Sequence, residues 1–224
     1  MTTEPLLRRL AAEFLGSALL ATIVVGSGIA ATSLSADGGI QLLINAAATA
    51  LGLGVLIAIL RPVSGAHFNP LVSIADTVLG RRRIADVAGY CAAQVVGCVA
   101  GAILANVMFD APAVSWGTTD RVTAGHLLGE VVATAGLVLV IFGLARAGRT
   151  TWIPLAVGAY IGSAYFFTSS TSFANPAITV GRMFSDTFAG ISPASAWPFV
   201  IAQLAGAAIG ILVTRVLFPV SKAD

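Results

Sequence analysis

Few residues in this chain of 224 are equipped for chemistry. His67, His126, Cys91 and Cys98 belong to no cluster with metal-ligand spacing, and no nucleophile, base and orienting group gather as an enzyme would need. The two cysteines stand in an apolar stretch and read as small buried residues. What remains is Ser64-Gly65-Ala66-His67-Phe68-Asn69-Pro70-Leu71, its echo Thr171-Ser172-Phe173-Ala174-Asn175-Pro176-Ala177, and two acids in apolar surroundings, Glu13 and Glu130. Asn-Pro after a Gly/Ser/Thr-rich turn is how a helix starts with Asn at the N-cap and Pro at the first helical position. The helices predicted from there, Leu71 to Leu79 and Ile178 to Phe184, reach only about half of the roughly 20 residues that a 30 Å hydrocarbon core requires. A single Asn-Pro is commonly a loop turn. Two at matching places in two similar halves mark a solute path, because irregular backbone survives at membrane depth only where protein buries it or water lines it.

The elements that must position these turns follow from composition and length. Hydrophobic residues make up 57% and charged residues 10% of the chain, against about a quarter charged in soluble domains; this is a polytopic membrane protein. Apolar stretches of spanning length run from Leu6 to Ala30, Leu42 to Leu60, Ile84 to Phe109, Ala124 to Ala145, Trp152 to Thr168 and Ala194 to Phe218. The first follows Arg8-Arg9 like a signal peptide, but its length and Glu13 make it a retained span. Numbering the loops alternately gives one side Arg8, Arg9, Arg61, Arg81, Arg82, Arg83, Arg146, Arg149, Arg215 and Lys222, and the other only Arg121 and Arg182. The excess of positive charge places both termini in the cytoplasm.

An internal repeat divides this single channel domain, residues 1–224, into halves of about 6–109 and 124–218. Ala93-Gln94 answers Ala202-Gln203, Gly97 answers Gly206, Gly101 answers Gly210, and Glu13 answers Glu130. Three spans per half, an odd number, make the second half enter from the opposite side, an inverted repeat. The paired glycines, four residues apart, suit close helix approach.

Six transmembrane helices plus two half-helices in an inverted repeat, with a Glu in the first helix of each half, resemble the aquaporin family, the major intrinsic proteins. The resemblance covers Glu13 to Phe218 and implies an all-α hourglass fold, a homotetramer with one pore per subunit, and a passive channel for small uncharged solutes, with no cofactor. Among its bacterial members the chain is similar to aquaglyceroporin-like, arsenic-associated ones. It implies a central constriction of Asn69, Pro70, Leu71, Asn175, Pro176 and Ala177, with Glu13 and Glu130 supporting the two pore loops. Physically, two half-helix N-termini carry about half a positive charge each and repel cations, and the Asn69 and Asn175 amides can orient a passing water so that no proton wire forms. His67 either lines the pore or is packed within its loop. His126 reads as structural, and Tyr160, Tyr165, Phe166 and Phe167 as packing or interface anchors rather than a binding box.

The chain departs from the family pattern where the narrow filter is expected. Leu71 stands where Ala is usual, and Ile178 where the family places an arginine, so the filter loses its fixed cation. The other filter positions fall on Thr49, Ser172, and either Ser163 or Tyr165. With Thr49, Ser172 and Ile178 the ring is neither strongly charged nor crowded with aromatics, unless Tyr165 points inward, and such a ring favours neutral glycerol-like polyols or the hydroxides of arsenite and antimonite over strict water selectivity. Arg182, one helical turn beyond Ile178, is either a snorkelling interface residue or a displaced filter charge in the vestibule. Asp76, at the corresponding place in the first half, is expected to pair with Arg81 to Arg83. The rival class is a secondary transporter, which also uses inverted repeats and broken helices; against it, the spans hold no acid or base set beyond Glu13 and Glu130.

Overall fold

The computed structural model describes residues 4–79 and 83–219. Arg81, Arg82 and Lys222, used above for orientation, lie outside them. The described chain forms helices α1 (Leu6–Leu34), α2 (Gly38–Ser64), α3 (Pro70–Val78), α4 (Val87–Met108), α5 (Ala124–Arg146), α6 (Ile153–Phe167), α7 (Pro176–Arg182) and α8 (Pro193–Leu217). Short 3-10 turns at Ile84–Asp86 and Thr150–Trp152 lead into α4 and α6. Five helices, counting α4 with its leading turn, are long and apolar enough to cross a membrane.

The predicted fifth span is the exception. Helix α6 has 15 residues and its leading turn three, which at about 1.5 Å and 2.0 Å per residue gives about 28 Å, close to a hydrocarbon core's thickness. The chain then turns into the second Asn-Pro loop.

Helix packing is unchanged when the two halves are exchanged. Helix α1 packs on α4 and α2 as α5 packs on α8 and α6, α2 meets α6, and each half-helix sits against both α4 and α8. With no hydrophobic force between helices in lipid, such contacts depend on small residues that let backbones approach. The repeated glycines occupy those places: a Cβ at Gly97 or Gly101 would run into the α1 backbone at Phe14 or Ala18, and one at Gly210 would lie 2.6 Å from the Ala135 carbonyl of α5. Thr22 adds a hydrogen bond from its Oγ1 to the Gly101 carbonyl, 3.0 Å away.

Both half-helices start as their sequence dictates. Asn69 accepts from Leu71 N and Asn175 from Ala177 N, each at 2.9 Å, with Pro at the first helical position. They span nine and seven residues. Of the two cysteines, Cys98 is buried, whereas Cys91 is half-buried on α4.

Candidate pore site

Each pore loop hangs from one acid. The fully buried Glu13 accepts from His67 N (3.0 Å) and Ser64 Oγ (2.6 Å) through one oxygen, and from Phe68 N (2.7 Å) and Gln94 Nε2 (2.8 Å) through the other. Glu130 does the same for the second loop, accepting from Phe173 N (2.9 Å), Ala174 N (2.9 Å) and Gln203 Nε2 (2.6 Å). Gln94 and Gln203 also donate to Ser73 and Thr179 on the half-helices, tying them to α4 and α8. Sequence reasoning gave these glutamines no role; the repeated Ala-Gln pair was the signal.

The acids are needed because both loops are sharply contorted. Gly65, Ala66 and Phe68 in the first, and Thr171, Ser172 and Ala174 in the second, have φ between 48° and 97°. Left-handed backbone turns N–H groups away from regular partners, and an unpaired donor at this depth is costly. Thr171 takes the place that Gly65 has in the first loop, a costly conformation for a β-branched residue.

At the centre the loops are crossed. Asn69 Nδ2 donates to the Ala174 carbonyl (2.8 Å) and Asn175 Nδ2 to the Phe68 carbonyl (2.7 Å). Each carboxamide oxygen is held by the backbone of its own half-helix and one N–H by the opposite loop, so the second N–H is left for a solute.

A cavity of about 1000 Å³ runs past this crossing. Thr49, Tyr165, Ser172, Ile178 and Arg182 line it on one side of the asparagines, and His67, Val72 and Asp76 on the other. The structure thus brings most of the predicted site residues onto one surface and sets others apart. Ser163 is exposed on α6 with its hydroxyl on the Tyr160 carbonyl, whereas Tyr165 is buried with its hydroxyl 3.2 Å from Thr49 Oγ1. Of the two span-five candidates, Tyr165 faces the cavity. Leu71 is packed in the core and off the cavity wall, with Val72 in the lining instead. Pro70, Pro176 and Ala177 likewise shape the turns without lining the cavity.

Arg182 does not snorkel. It is 3% exposed, lies against the cavity, stacks its guanidinium 3.4 Å from the centre of the Phe173 ring, and donates from Nε to the Ala189 carbonyl. The loop over 188–190 folds back over the half-helix and supplies that carbonyl, which no local pattern around Arg182 announces. Arg121, also unassigned by sequence, lies 5.5 Å from the same ring and donates to the Gly190 (2.8 Å) and Phe188 (2.9 Å) carbonyls. Removal from water lowers the Arg121 pKa. His126, on the first turn of α5, has its Nδ1 2.7 Å from the Arg121 carbonyl.

The other mouth carries charges of both signs, Glu4, Asp76 and Asp86 with Arg9, Arg61 and Arg83. His67 lies between Ser73 Oγ, 3.0 Å from Nδ1, and Asp76 Oδ2, 3.4 Å from Nε2. It is therefore both bonded within its loop and on the cavity wall. Asp76 meets His67; of its expected partners, Arg81 and Arg82 fall outside the described residues, and Arg83 lines the same cavity. Arg9 and Asp86 form an ion pair (2.8 Å) on the same cavity's rim.

Comparison with known proteins decides the family. The model of the major intrinsic protein family matches residues 1–172. The chain belongs to that family. It is 47% identical over 210 residues to aquaglyceroporin AqpS of Rhizobium meliloti, covering 94% of this chain and 90% of the relative. It is 31% identical to aquaporin Z of Brucella melitensis, over 94% of this chain and 97% of the relative. The fold matches that of an aquaglyceroporin from Plasmodium falciparum with a TM-score of 0.78, over 96% and 97% of the two chains, at 19% identity. As a major intrinsic protein the chain is a multi-pass, all-helical membrane channel, passive, for water and small solutes.

Proposed function

We propose that this channel passes glycerol-like polyols as well as water, and with them the neutral hydroxides of trivalent arsenic and antimony, through a filter formed by Thr49, Tyr165, Ser172 and Ile178. The observation that carries the reading is Ile178. It is an aliphatic wall at the position after the Asn-Pro turn where the family resemblance implies an arginine, and the paired hydroxyls of Thr49 and Tyr165 line the same cavity. A surface with one apolar and one hydroxyl edge suits a solute with C–H on one side and O–H on the other. The 47% identity to a protein named an aquaglyceroporin supports it. Asn69 and Asn175, at the meeting of two positive half-helix ends, exclude cations and interrupt the proton wire. The two halves act as one conduction unit, assembled as a homotetramer in the inner membrane with both termini cytoplasmic, in keeping with the distribution of Arg and Lys. The pathway transports without chemical conversion or ion coupling.

Stopped-flow light scattering of proteoliposomes tests this, with Ile178→Arg in parallel. Glycerol influx is expected to be fast in the parent and at least about tenfold slower in the variant, the effect of about 1.4 kcal/mol at the barrier. Water flux without glycerol flux in the parent would refute the polyol reading. Arg182→Gln bears on ion exclusion: monovalent-cation conductance is expected to rise, and conductance equal to the parent's would remove Arg182 from that role.

A further inference from the structure

Each half of the repeat brings the same two positions together, with different chemistry in each. Phe173 stands two residues before Asn175 and Arg182 seven after it; His67 and Asp76 stand at the same places around Asn69. His67 Nε2 lies 3.4 Å from Asp76 Oδ2, and the Arg182 guanidinium lies 3.4 Å from the centre of the Phe173 ring. The loop acids hold both leading residues by their backbone N–H, Glu13 that of His67 and Glu130 that of Phe173. All four residues line the cavity. The inverted fold sets where the contact falls, and the residue types decide what it does. On one side of the asparagines a histidine meets a carboxylate; on the other an aromatic face meets a guanidinium.

Arg182 needs such a contact to stay in one place. It ends a half-helix of seven residues on a long, rotamer-rich stem, and its charged neighbours act in opposite senses, Arg121 repelling it and Glu130 attracting it. Its Nε donates to the Ala189 carbonyl, which secures one edge of the guanidinium. The Phe173 ring secures the face. That ring is itself fixed, because it meets the fully buried Phe199 of α8 at 73° with centroids 5.1 Å apart, and its backbone is tied to Glu130. A cation over an aromatic face is attracted by the ring quadrupole, and more strongly out of water; Arg182 and Phe173 are 3% and 4% exposed. An aliphatic side chain would fill the space but offer no such face. We propose that Phe173 is a positioning residue for ion exclusion, its ring holding the Arg182 charge at the cavity wall where an entering cation meets it. The role rests on reading Arg182 as the charge that repels cations at this mouth.

Monovalent-cation conductance of proteoliposomes, per amount of full-length protein reconstituted, tests this in the parent, Phe173→Leu, Phe173→Tyr, Arg182→Gln and the variant combining Phe173→Leu with Arg182→Gln. Phe173→Leu is expected to raise conductance severalfold. Phe173→Tyr, which keeps the aromatic face, is expected to stay near the parent, and the combined variant to match Arg182→Gln alone. A ring that only filled space would behave differently: its loss would add leakage on top of that from Arg182→Gln. Phe173→Met serves if Phe173→Leu does not fold. Conductance of Phe173→Leu equal to the parent's, equal leakage through the leucine and tyrosine variants, or additive leakage in the combined variant would overturn the proposal. Arg182→Gln alone reports on the reading beneath it. If that variant leaks and Phe173→Leu does not, only the role of the ring falls; if Arg182→Gln does not leak, both fall.

Discussion

Replacing Glu13 by alanine is expected to prevent accumulation of folded protein, and Glu13→Gln to lower thermal stability while leaving the order of permeants unchanged. Glu13 receives four donors at zero exposure. Each buried donor left unsatisfied costs about 1–3 kcal/mol, so alanine removes about 4 kcal/mol or more, a large share of a typical fold's stability. Glutamine keeps one acceptor oxygen and turns an amide towards groups that also donate, giving a smaller loss. Glu13 does not line the cavity, so its effect on solute choice has no direct route. Thermal unfolding in detergent, followed by flux assays on the glutamine variant, checks both points; unchanged stability with altered selectivity would remove the acid from its supporting role.

Breaking the crossed asparagines is the second large effect. Asn175→Ala removes the cap that holds Ala177 N and Ile178 N and leaves the Phe68 carbonyl without its donor. Loss of an N-cap costs about 1 kcal/mol and an unsatisfied buried carbonyl about 1–3 more, so about 3 kcal/mol is expected for either asparagine. Their effects are not independent. The two hydrogen bonds pin the same pair of loops, so Asn69→Ala with Asn175→Ala is expected to cost less than the sum, with a coupling of about 1 kcal/mol or more. Chemical denaturation of the parent, both single variants and the double variant measures it. Strict additivity would mean that the loops are held independently, by their acids alone.

The elements legible in the sequence were those fixed by local rules. Asn followed by Pro carries its own cap, and span length is set by bilayer thickness, so both half-helices and the spans lie near their predicted positions. Facing was harder. Ser163 and Tyr165, two residues apart, point about 200° apart on a helix at 3.6 residues per turn, and the loop length that selects between them is set by tertiary packing. Leu71 and Val72 exchange roles for the same reason, about 100° apart. The sequence leaves Arg182 between an interface residue and a vestibule charge because its environment comes from distant segments, Ala189 and Phe173, which only the folded loops bring together. Gln94 and Gln203 were visible as a repeated pair but carried no sign of what they would hold.

The crossing also constrains how the protein is made. Synthesis delivers the first half before the second exists, and at that stage the Asn69 amide lacks Ala174 and the Phe68 carbonyl lacks Asn175. Half-helix α3 also lacks α8, one of its supporting spans. The amino-terminal half must therefore wait in the membrane with its re-entrant segment only partly secured, and the constriction closes as a late event, when the second loop folds in to meet it. A ribosome stalled before the second Asn-Pro turn would hold a chain whose first half has no partner loop and no finished pore.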